Sequence, residues 1–481
     1  MEYSPKNNSF DKKWQPNDIE YWRISESILK SGYEFTIDKS DESFDGNSLL
    51  VSTDKSLYVP LSKPGEICVS KIDDSMWLSL PLTVYDDGNS TLPKSVLKPE
   101  NRVTMNPNDM ITKVAVFTEM WNYLRLYSNV SFTDEQWDRL FLDNISNITA
   151  TKSTELFEVE LNKILKVTNN IRSDAWRTSQ SEDYTLPFLV DFEKGDAVVI
   201  TSFDKQIEKG DKLISVGDMN VRDFIATKSL QYPGNSIIWK LKKAFYELAS
   251  GDFKSEEEIK FIRNGEELVV PIARNLTNRE VVITRPYTLE WLDSNTIYID
   301  GTRLNDFEMS EMMGNFTKAK GIIIDLRGDA LLSEHFLGFF MDESVPTFKW
   351  GLKSYISPCK EANRRDINGY VKAKKADLTR NIVFLTNETS VGKSETILQI
   401  VKHYGIGKII GEPTAGSYDM IQEVKLPAMY NISFDIYPMS FGNDNQIKYK
   451  SIIPDITIKD KDNYPNDPKI KKAIELLKEK Y

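Results

Sequence analysis

The stretch NIVFLTNETSVGKSE, residues 381–395, decides the fold. It begins with an apolar run of strand length, and the polar residues after that run predict a turn. Two similar buried-strand runs precede it, TIYI at residues 296–299 and GIIIDLR at residues 321–327. Helical segments separate the runs, which predicts a partly parallel sheet in an α/β domain spanning residues 279–481.

Three further domains are predicted ahead of this one. Residues 1–100 contain short apolar runs separated by Gly and Pro, which is typical of a β-sandwich-like domain. Residues 101–180 carry apolar side chains at helical spacing, with a capping-box pattern at Thr133 and Gln136, and are expected to form a helical domain. Residues 181–278 return to strands, with a hairpin signal at Asn264-Gly265. The predicted fold class is therefore multidomain α/β (α+β), with four parts.

Composition excludes several classes of function. The 481 residues carry a net charge of −11 and no basic block, so nucleic acid is not an expected partner. Only Cys68 and Cys359 occur, which excludes a disulfide scaffold and a CxxC zinc cluster. We interpret the acidic run at residues 256–258 as a solvated face and predict no metal site and no cofactor. No apolar run reaches the length of a transmembrane helix.

Several sequence strings occur together in an order that resembles a known family. KGDKLISVGDMNV, residues 209–221, resembles the PDZ domain, a small barrel that captures an extended peptide as an added strand. Three further strings then follow, namely GIIIDLRG, NIVFLTNETSVGKSE and GKIIGEPTAGS (residues 407–417). Their order resembles that of the tail-specific, or C-terminal processing, serine protease family, which includes a tricorn-like branch. The resemblance covers roughly residues 105–481 and implies a PDZ-like barrel at 181–278 and a protease-like core at 279–481.

The resemblance implies a serine peptidase, but the positions that carry its chemistry are substituted. Family members place a Ser nucleophile at the start of the helix after the strand, and this position is Gly392. The Lys base of the processing proteases corresponds to Ser417, and the His base of the tricorn-like branch corresponds to Asp174. The loop at residues 325–332 also lacks the family's paired glycines. These substitutions indicate a hydrolytic site that has been lost.

A rearranged site is the alternative. Ser390 and Lys393 have the Ser-x-x-Lys spacing that places two side chains one helical turn apart, and a buried Lys could activate the Ser. The chain would then be an active serine-type peptidase that cleaves unstructured peptides. Gly392-Lys393-Ser394 also resembles part of a phosphate-binding loop, but Asn387 stands where that motif needs its first glycine. Whether the chain is an enzyme therefore remains open from sequence.

The leading hypothesis is a degenerate protease homologue that binds peptides or protein C-terminal tails through the PDZ-like module and the adjoining cleft. The candidate peptide-binding stretch consists of five consecutive residues, namely Leu186, Pro187, Phe188, Leu189 and Val190. The same residues could instead belong to the core of the barrel. The N-terminus lacks a signal-peptide pattern, yet the resemblance implies export to a bacterial periplasm or cell surface, with the cytoplasm as the other possibility. The oligomeric state is not predicted.

Overall fold

The computed structural model describes residues 105–178, 184–278, 280–354, 363–374, 378, 381–417, 421–435, 439–441, 450–459 and 463–479, together with short strands between residues 20 and 92. Cys359 lies outside the described residues. Within them the chain is mixed α/β and multidomain, as the sequence predicts.

The strands of the N-terminal region pair with near neighbours. The strands are β1 Glu20–Glu26, β2 Phe35–Lys39, β3 Ser43–Phe44, β4 Leu49–Leu50, β5 Ile67–Lys71, β6 Trp77–Pro81, β7 Thr83–Asp86 and β8 Thr91–Leu92. One antiparallel sheet has the order β2-β1-β7-β8, while β3 pairs with β4 and β5 pairs with β6. The region is β-rich, and its arrangement as a sandwich stays a prediction.

Three helices follow, α1 (Met110–Tyr127), α2 (Asp134–Ala150) and α3 (Thr154–Leu165). The capping box predicted by Thr133 and Gln136 is present at the start of α2. The apolar stripes of the three helices meet in one buried cluster. Strand β9 (Asp174–Arg177) then leaves the helices and pairs with a strand of the C-terminal part, residues 430–435. The helical segment is thereby joined to the α/β region.

The next part is a sheet with two helices. The strand order is β11-β12-β13-β16-β17, so β11 and β17 are its edges. Asn264 and Gly265, both with positive φ, form the turn between β16 and β17, which confirms the predicted hairpin. The bounds are β10 Tyr184–Thr185, β11 Phe188–Glu193, β12 Asp196–Ser202, β13 Lys212–Val216, β14 Met219–Asn220, α4 Val221–Ser229, α5 Ile237–Ala249, β15 Ser250–Gly251, β16 Glu256–Arg263, β17 Glu266–Ala273 and β18 Leu276–Thr277.

The C-terminal part is built on a central six-stranded sheet of order β19-β20-β21-β24-β25-β29, parallel except at β19. The predicted partly parallel sheet is therefore confirmed. The bounds are β19 Leu289–Trp291, β20 Thr296–Asp300, α6 Asp306–Met312, β21 Gly321–Asp325, β22 Val345–Ser354, β23 Asn363–Val371, β24 Ile382–Thr386, α7 Lys393–Tyr404, β25 Lys408–Gly411, β26 Ile421–Lys425, β27 Tyr430–Asp435, β28 Met439–Phe441, β29 Ile456–Thr457 and α8 Pro468–Lys478.

Both faces of the central sheet are covered, which explains why its strands are apolar without alternation. Ile322, Ile324 and Phe384 belong to the core on the side of α7, whereas Ile323 and Val383 belong to the core on the side of α8. Every residue of β20, β21 and β24 is buried. Because parallel strands end at the same edge, the loops after β21 and β24 are brought together there.

A buried ion network fixes this edge of the sheet. Arg327 lies between two carboxylates, with Nη2 2.6 Å from Asp325 Oδ2 and Nη1 2.6 Å from Asp467 Oδ2. Asp467 also caps the N-terminus of α8. Burial alone would raise the pKa of Asp325, but the guanidiniums of Arg327 and Arg285 hold that pKa well below its usual value. The loop after β21 is therefore tied to α8.

Candidate functional site

The turn between β24 and α7 ends in a glycine with an unusual backbone. Gly392 precedes α7 with φ 55° and ψ −118°, a conformation that L side chains rarely adopt. Its N–H donates to the carbonyl of Ser417 at 2.7 Å, and Val391 N–H donates to the carbonyl of Gly328 at 3.2 Å. The turn is thus held between the loop after β21 and the loop after β25.

The space beside Gly392 is filled by an ion pair. A Cβ at this position would lie 2.5 Å from Arg172 Nη1 and 2.7 Å from Asp329 Oδ1. Arg172 Nη2 is 2.9 Å from Asp329 Oδ2, and Asp329 Oδ1 accepts the Lys393 backbone N–H at 3.1 Å. The N-terminus of α7, which favours an anion, therefore already binds a carboxylate of the chain itself.

The structure does not bring Ser390 and Lys393 together as a nucleophile and its base. Ser390 is fully buried, and its hydroxyl donates to the carbonyl of Leu326 at 2.6 Å. The oxygen of the Ser390 hydroxyl also accepts hydrogen bonds from Asn387 N–H and the Thr386 hydroxyl. Lys393 begins α7 with an exposed side chain. The Ser390 hydroxyl therefore serves to hold the turn.

The two predicted base positions lie in different surroundings. Ser417 is buried beside Gly392, and its hydroxyl donates to Asn170 Oδ1 at 2.9 Å. Asp174 lies in β9 and forms an ion pair of 2.6 Å with Lys243 of α5. Its carboxylate is thus bound to the part of the chain predicted to be PDZ-like.

Neither histidine belongs to this turn. His335 is exposed in a 3₁₀ turn at residues 334–340. His403 is exposed near the C-terminal end of α7, and a rise of about 1.5 Å per residue separates it from Gly392 by roughly 16 Å. His403 is therefore too far from residue 392 to act as its base.

Glu395 is a structural residue of the site, and no local sequence pattern indicates the contacts that it makes. It is fully buried in the first turn of α7, and its carboxylate accepts the backbone N–H groups of Gly416, at 2.7 Å, and Ser417. Burial raises its pKa to about 7, and these hydrogen bonds, which favour the charged carboxylate, offset part of that rise. Glu395 therefore joins α7 to the loop after β25.

A groove of about 770 Å³ lies between β11, α5 and the α/β part. Phe188, Leu189 and Val190 line it, but Phe188 and Val190 are also buried in the same core cluster as Leu186. A role of these residues in peptide binding stays a prediction. The carbonyl of Pro187 accepts Phe203 N–H at 2.8 Å. The remaining lining combines polar and charged residues with apolar or aromatic ones, the latter being Ile200, Phe203, Phe245, Tyr246, Ala249, Val281, Val282 and Ile283.

The inner end of the groove reaches the turn that carries Gly392. Asn387, Glu388 and Thr389 line this end, and Glu388 forms a 2.9 Å ion pair with Lys242 of α5. The groove and the turn are therefore neighbouring parts of one cleft. None of the described helices is long and apolar enough to cross a membrane, and no cluster of three potential metal ligands occurs among the described residues.

Comparison with known proteins identifies the class of the α/β part. Residues 296–458 match the model of peptidase family S41. This part of the chain is therefore a peptidase family S41 domain, and the resemblance to tail-specific proteases is confirmed. No curated protein matches the chain.

Solved structures extend the likeness of fold beyond that domain. Mature CPAF has a TM-score of 0.58 and 11% identity, with 77% of this chain and 96% of that chain covered. Mature CPAF complexed with lactacystin gives 0.56 and 12%, covering 77% and 97%. The photosystem II D1 C-terminal processing protease gives 0.43 and 13%, covering 72% and 93%. At these identities the CPAF matches show a shared fold.

We expect Gly392→Ala to destabilise the chain more than Gly405→Ala. Both glycines have positive φ and flank α7, but a Cβ at Gly405 meets no atom within 4 Å. Gly405→Ala should cost about 1 kcal/mol, because Gly405 is in the left-handed region that Ala tolerates with modest strain. Gly392→Ala should cost about 3 kcal/mol, because φ 55° and ψ −118° lie outside that region and the added Cβ also displaces the Arg172–Asp329 pair. Urea unfolding monitored by tryptophan fluorescence measures both. Equal costs would contradict the special backbone and occupied space at Gly392.

We also expect Glu395 to make stability depend on pH. Its pKa is raised from 4.5 to about 7 in the folded chain, so the folded state binds a proton that the unfolded state releases between these values. The stabilisation is complete below 4.5 and is lost as the pH rises through 7, by about 3 kcal/mol. Glu395→Gln should remove this part of the dependence. A variant whose unfolding free energy varies with pH as in the parent chain would contradict the assignment.

Proposed function

We propose that this chain is a non-hydrolytic member of the tail-specific protease family that binds extended peptides or protein tails in the groove beside β11. The observation that carries the proposal is the Arg172–Asp329 ion pair, which fills the space of the missing side chain at Gly392. A nucleophile at residue 392 would need that space.

The chemistry of acyl transfer supports the loss of hydrolysis. A serine peptidase needs a nucleophile, a base that activates it, and N–H donors for the oxyanion that develops in the transition state. Gly392 offers no nucleophile, and Lys393 N–H donates to Asp329. That N–H is therefore engaged by a carboxylate of the chain and is not offered to an oxyanion. The same position thus lacks the nucleophile and a donor for the intermediate.

Peptide binding is supported by the shape and the exposed edge of the groove. Strand β11 pairs with β12 on one side, and no strand pairs with its other side among the described residues. An extended peptide can therefore add to β11 as a further strand, with its side chains directed into apolar pockets. Helix α5 forms the opposite wall.

The proposal includes the four-part organisation and the location. Residues 1–100 would form the β-rich domain, 101–180 the helical domain, 181–278 the PDZ-like module and 279–481 the protease-like core. The strand order and the two helices of residues 184–278 support the third assignment. The family resemblance supports export to a bacterial periplasm or cell surface.

The test is to incubate the purified chain with unfolded casein and a diverse peptide mixture, and to identify products by mass spectrometry. We expect no new termini, beside a control protease that produces them, because no nucleophile stands at residue 392. Ser390→Ala is the matched variant. New termini that vanish in Ser390→Ala would refute the proposal and establish an active peptidase with a rearranged nucleophile.

A further inference from the structure

The entrance to β11 determines which kind of peptide the groove can take. A free C-terminal carboxylate buried at the end of a groove needs hydrogen-bond donors, either successive backbone N–H groups or a cation. An internal peptide segment carries no such charge and needs only the main-chain edge of the strand. The donors available at residues 185–191 and on the groove walls therefore distinguish these two ligands.

The backbone that leads into β11 has no N–H group to offer. Leu186 N–H donates to the carbonyl of Ala249 at 3.1 Å, and Phe188 N–H donates to the carbonyl of Leu186 at 2.9 Å. Pro187, between them, has no N–H. Three consecutive positions that could cradle a carboxylate are thus committed to the fold or lack the donor.

The cations of the groove are engaged with acidic residues of the chain. Lys242 pairs with Glu388, at 2.9 Å. Arg303 Nε is 2.7 Å from Asp300 Oδ2, and Arg285 Nη1 is 3.4 Å from the same oxygen. Arg327, the fourth cation of the lining, binds two buried carboxylates at the edge of the sheet. A peptide carboxylate would have to displace one of these partners.

The charges of the groove lining nearly balance. Three carboxylates, of Asp191, Glu280 and Glu388, stand beside the four cations, and each of those cations is already paired within the chain. A terminal carboxylate would therefore find no unpaired cation among the described lining residues, and each carboxylate near it would be unfavourable.

The rim of the groove is suited to an extended apolar segment. Phe203, Tyr246 and Val282 line it and keep 43%, 44% and 51% of their surface exposed. Tyr246 belongs to α5, the wall opposite β11, and Phe203 directly follows β12. A strand added to β11 would present every second side chain to this apolar part of the lining, because side chains alternate between the faces of a strand.

We infer that the groove binds internal, extended protein segments with apolar residues at alternate positions, and that it does not recognise a free C-terminus. The inference rests on the proposed function and narrows its partner to unfolded or loop segments of proteins. It separates this chain from a binder of protein tails.

The test uses two phage libraries of short random peptides, one displayed with a free C-terminus and one flanked on both sides by fixed Gly-Ser residues. Both are selected on the immobilised full chain. The best peptide of each library is then synthesised with a free acid, with a C-terminal amide and with a Gly-Ser extension. We expect enrichment from the flanked library and affinities of the three forms within about twofold of each other. A loss of more than about tenfold on amidation or extension would overturn the inference alone.

Two variants locate the binding. Phe203 lies on the rim of the groove, so Phe203→Ala tests its contribution. Phe307→Ala is the matched control, because Phe307 is exposed in α6 and absent from the lining. We expect Phe203→Ala to weaken binding about tenfold or more and Phe307→Ala to leave it unchanged. Equal binding by both variants would overturn the placement in this groove. No enrichment from either library would refute the proposed function together with the inference.

Discussion

The buried guanidinium of Arg327 is the interaction on which the candidate site depends. It binds Asp325 at the end of β21 and Asp467 at the start of α8, and it is almost fully buried. Removing one partner of such a buried pair typically costs about 3–5 kcal/mol, because the remaining charge is left without compensation. This network holds the backbone on either side of Arg327 in place. The carbonyl of Leu326 accepts a hydrogen bond from the Ser390 hydroxyl, and the carboxylate of Asp329 accepts one from the Lys393 N–H at the start of α7.

A cleft can keep its architecture after its chemistry is lost. Here the turn between β24 and α7, the loop after β25 and the sheet edge are tightly connected through Glu395, Ser417 and Gly392. None of these contacts requires a reactive hydroxyl at residue 392. The groove beside β11 is formed by other residues and adjoins the turn through Glu388. In the proposed function, binding and catalysis therefore depend on different side chains, so one can persist without the other.

Local patterns allowed much of the fold to be predicted. The apolar runs of β21 and β24, the capping box at Thr133 and the Asn264-Gly265 turn each depend on neighbouring residues, and each appears in the structure. The register that places Gly392 before a helix also agrees with the observed start of α7 at Lys393. The boundaries of the four domains and the roles of the predicted site residues stay predictions.

The contacts that define the site could not be derived from sequence, since they join distant parts of the chain. Arg172 and Asp329 are 157 residues apart, and no local pattern indicates that they meet over Gly392. The Ser-x-x-Lys spacing assumed a helix, but α7 begins only at Lys393, so Ser390 lies in the preceding turn and points into the core. Likewise, the apolar run from Leu186 to Val190 could not show which of its side chains would line a groove.

Active-site labelling is the most direct measurement of whether a reactive serine exists. The purified chain would be treated with a fluorophosphonate probe beside a control serine protease, and its intact mass measured before and after heat denaturation. We expect no adduct on the folded chain, because Gly392 has no hydroxyl and the Ser390 hydroxyl is buried against Leu326. A stoichiometric adduct that requires the folded state, and that peptide mapping assigns to Ser390, would contradict the loss of the hydrolytic site.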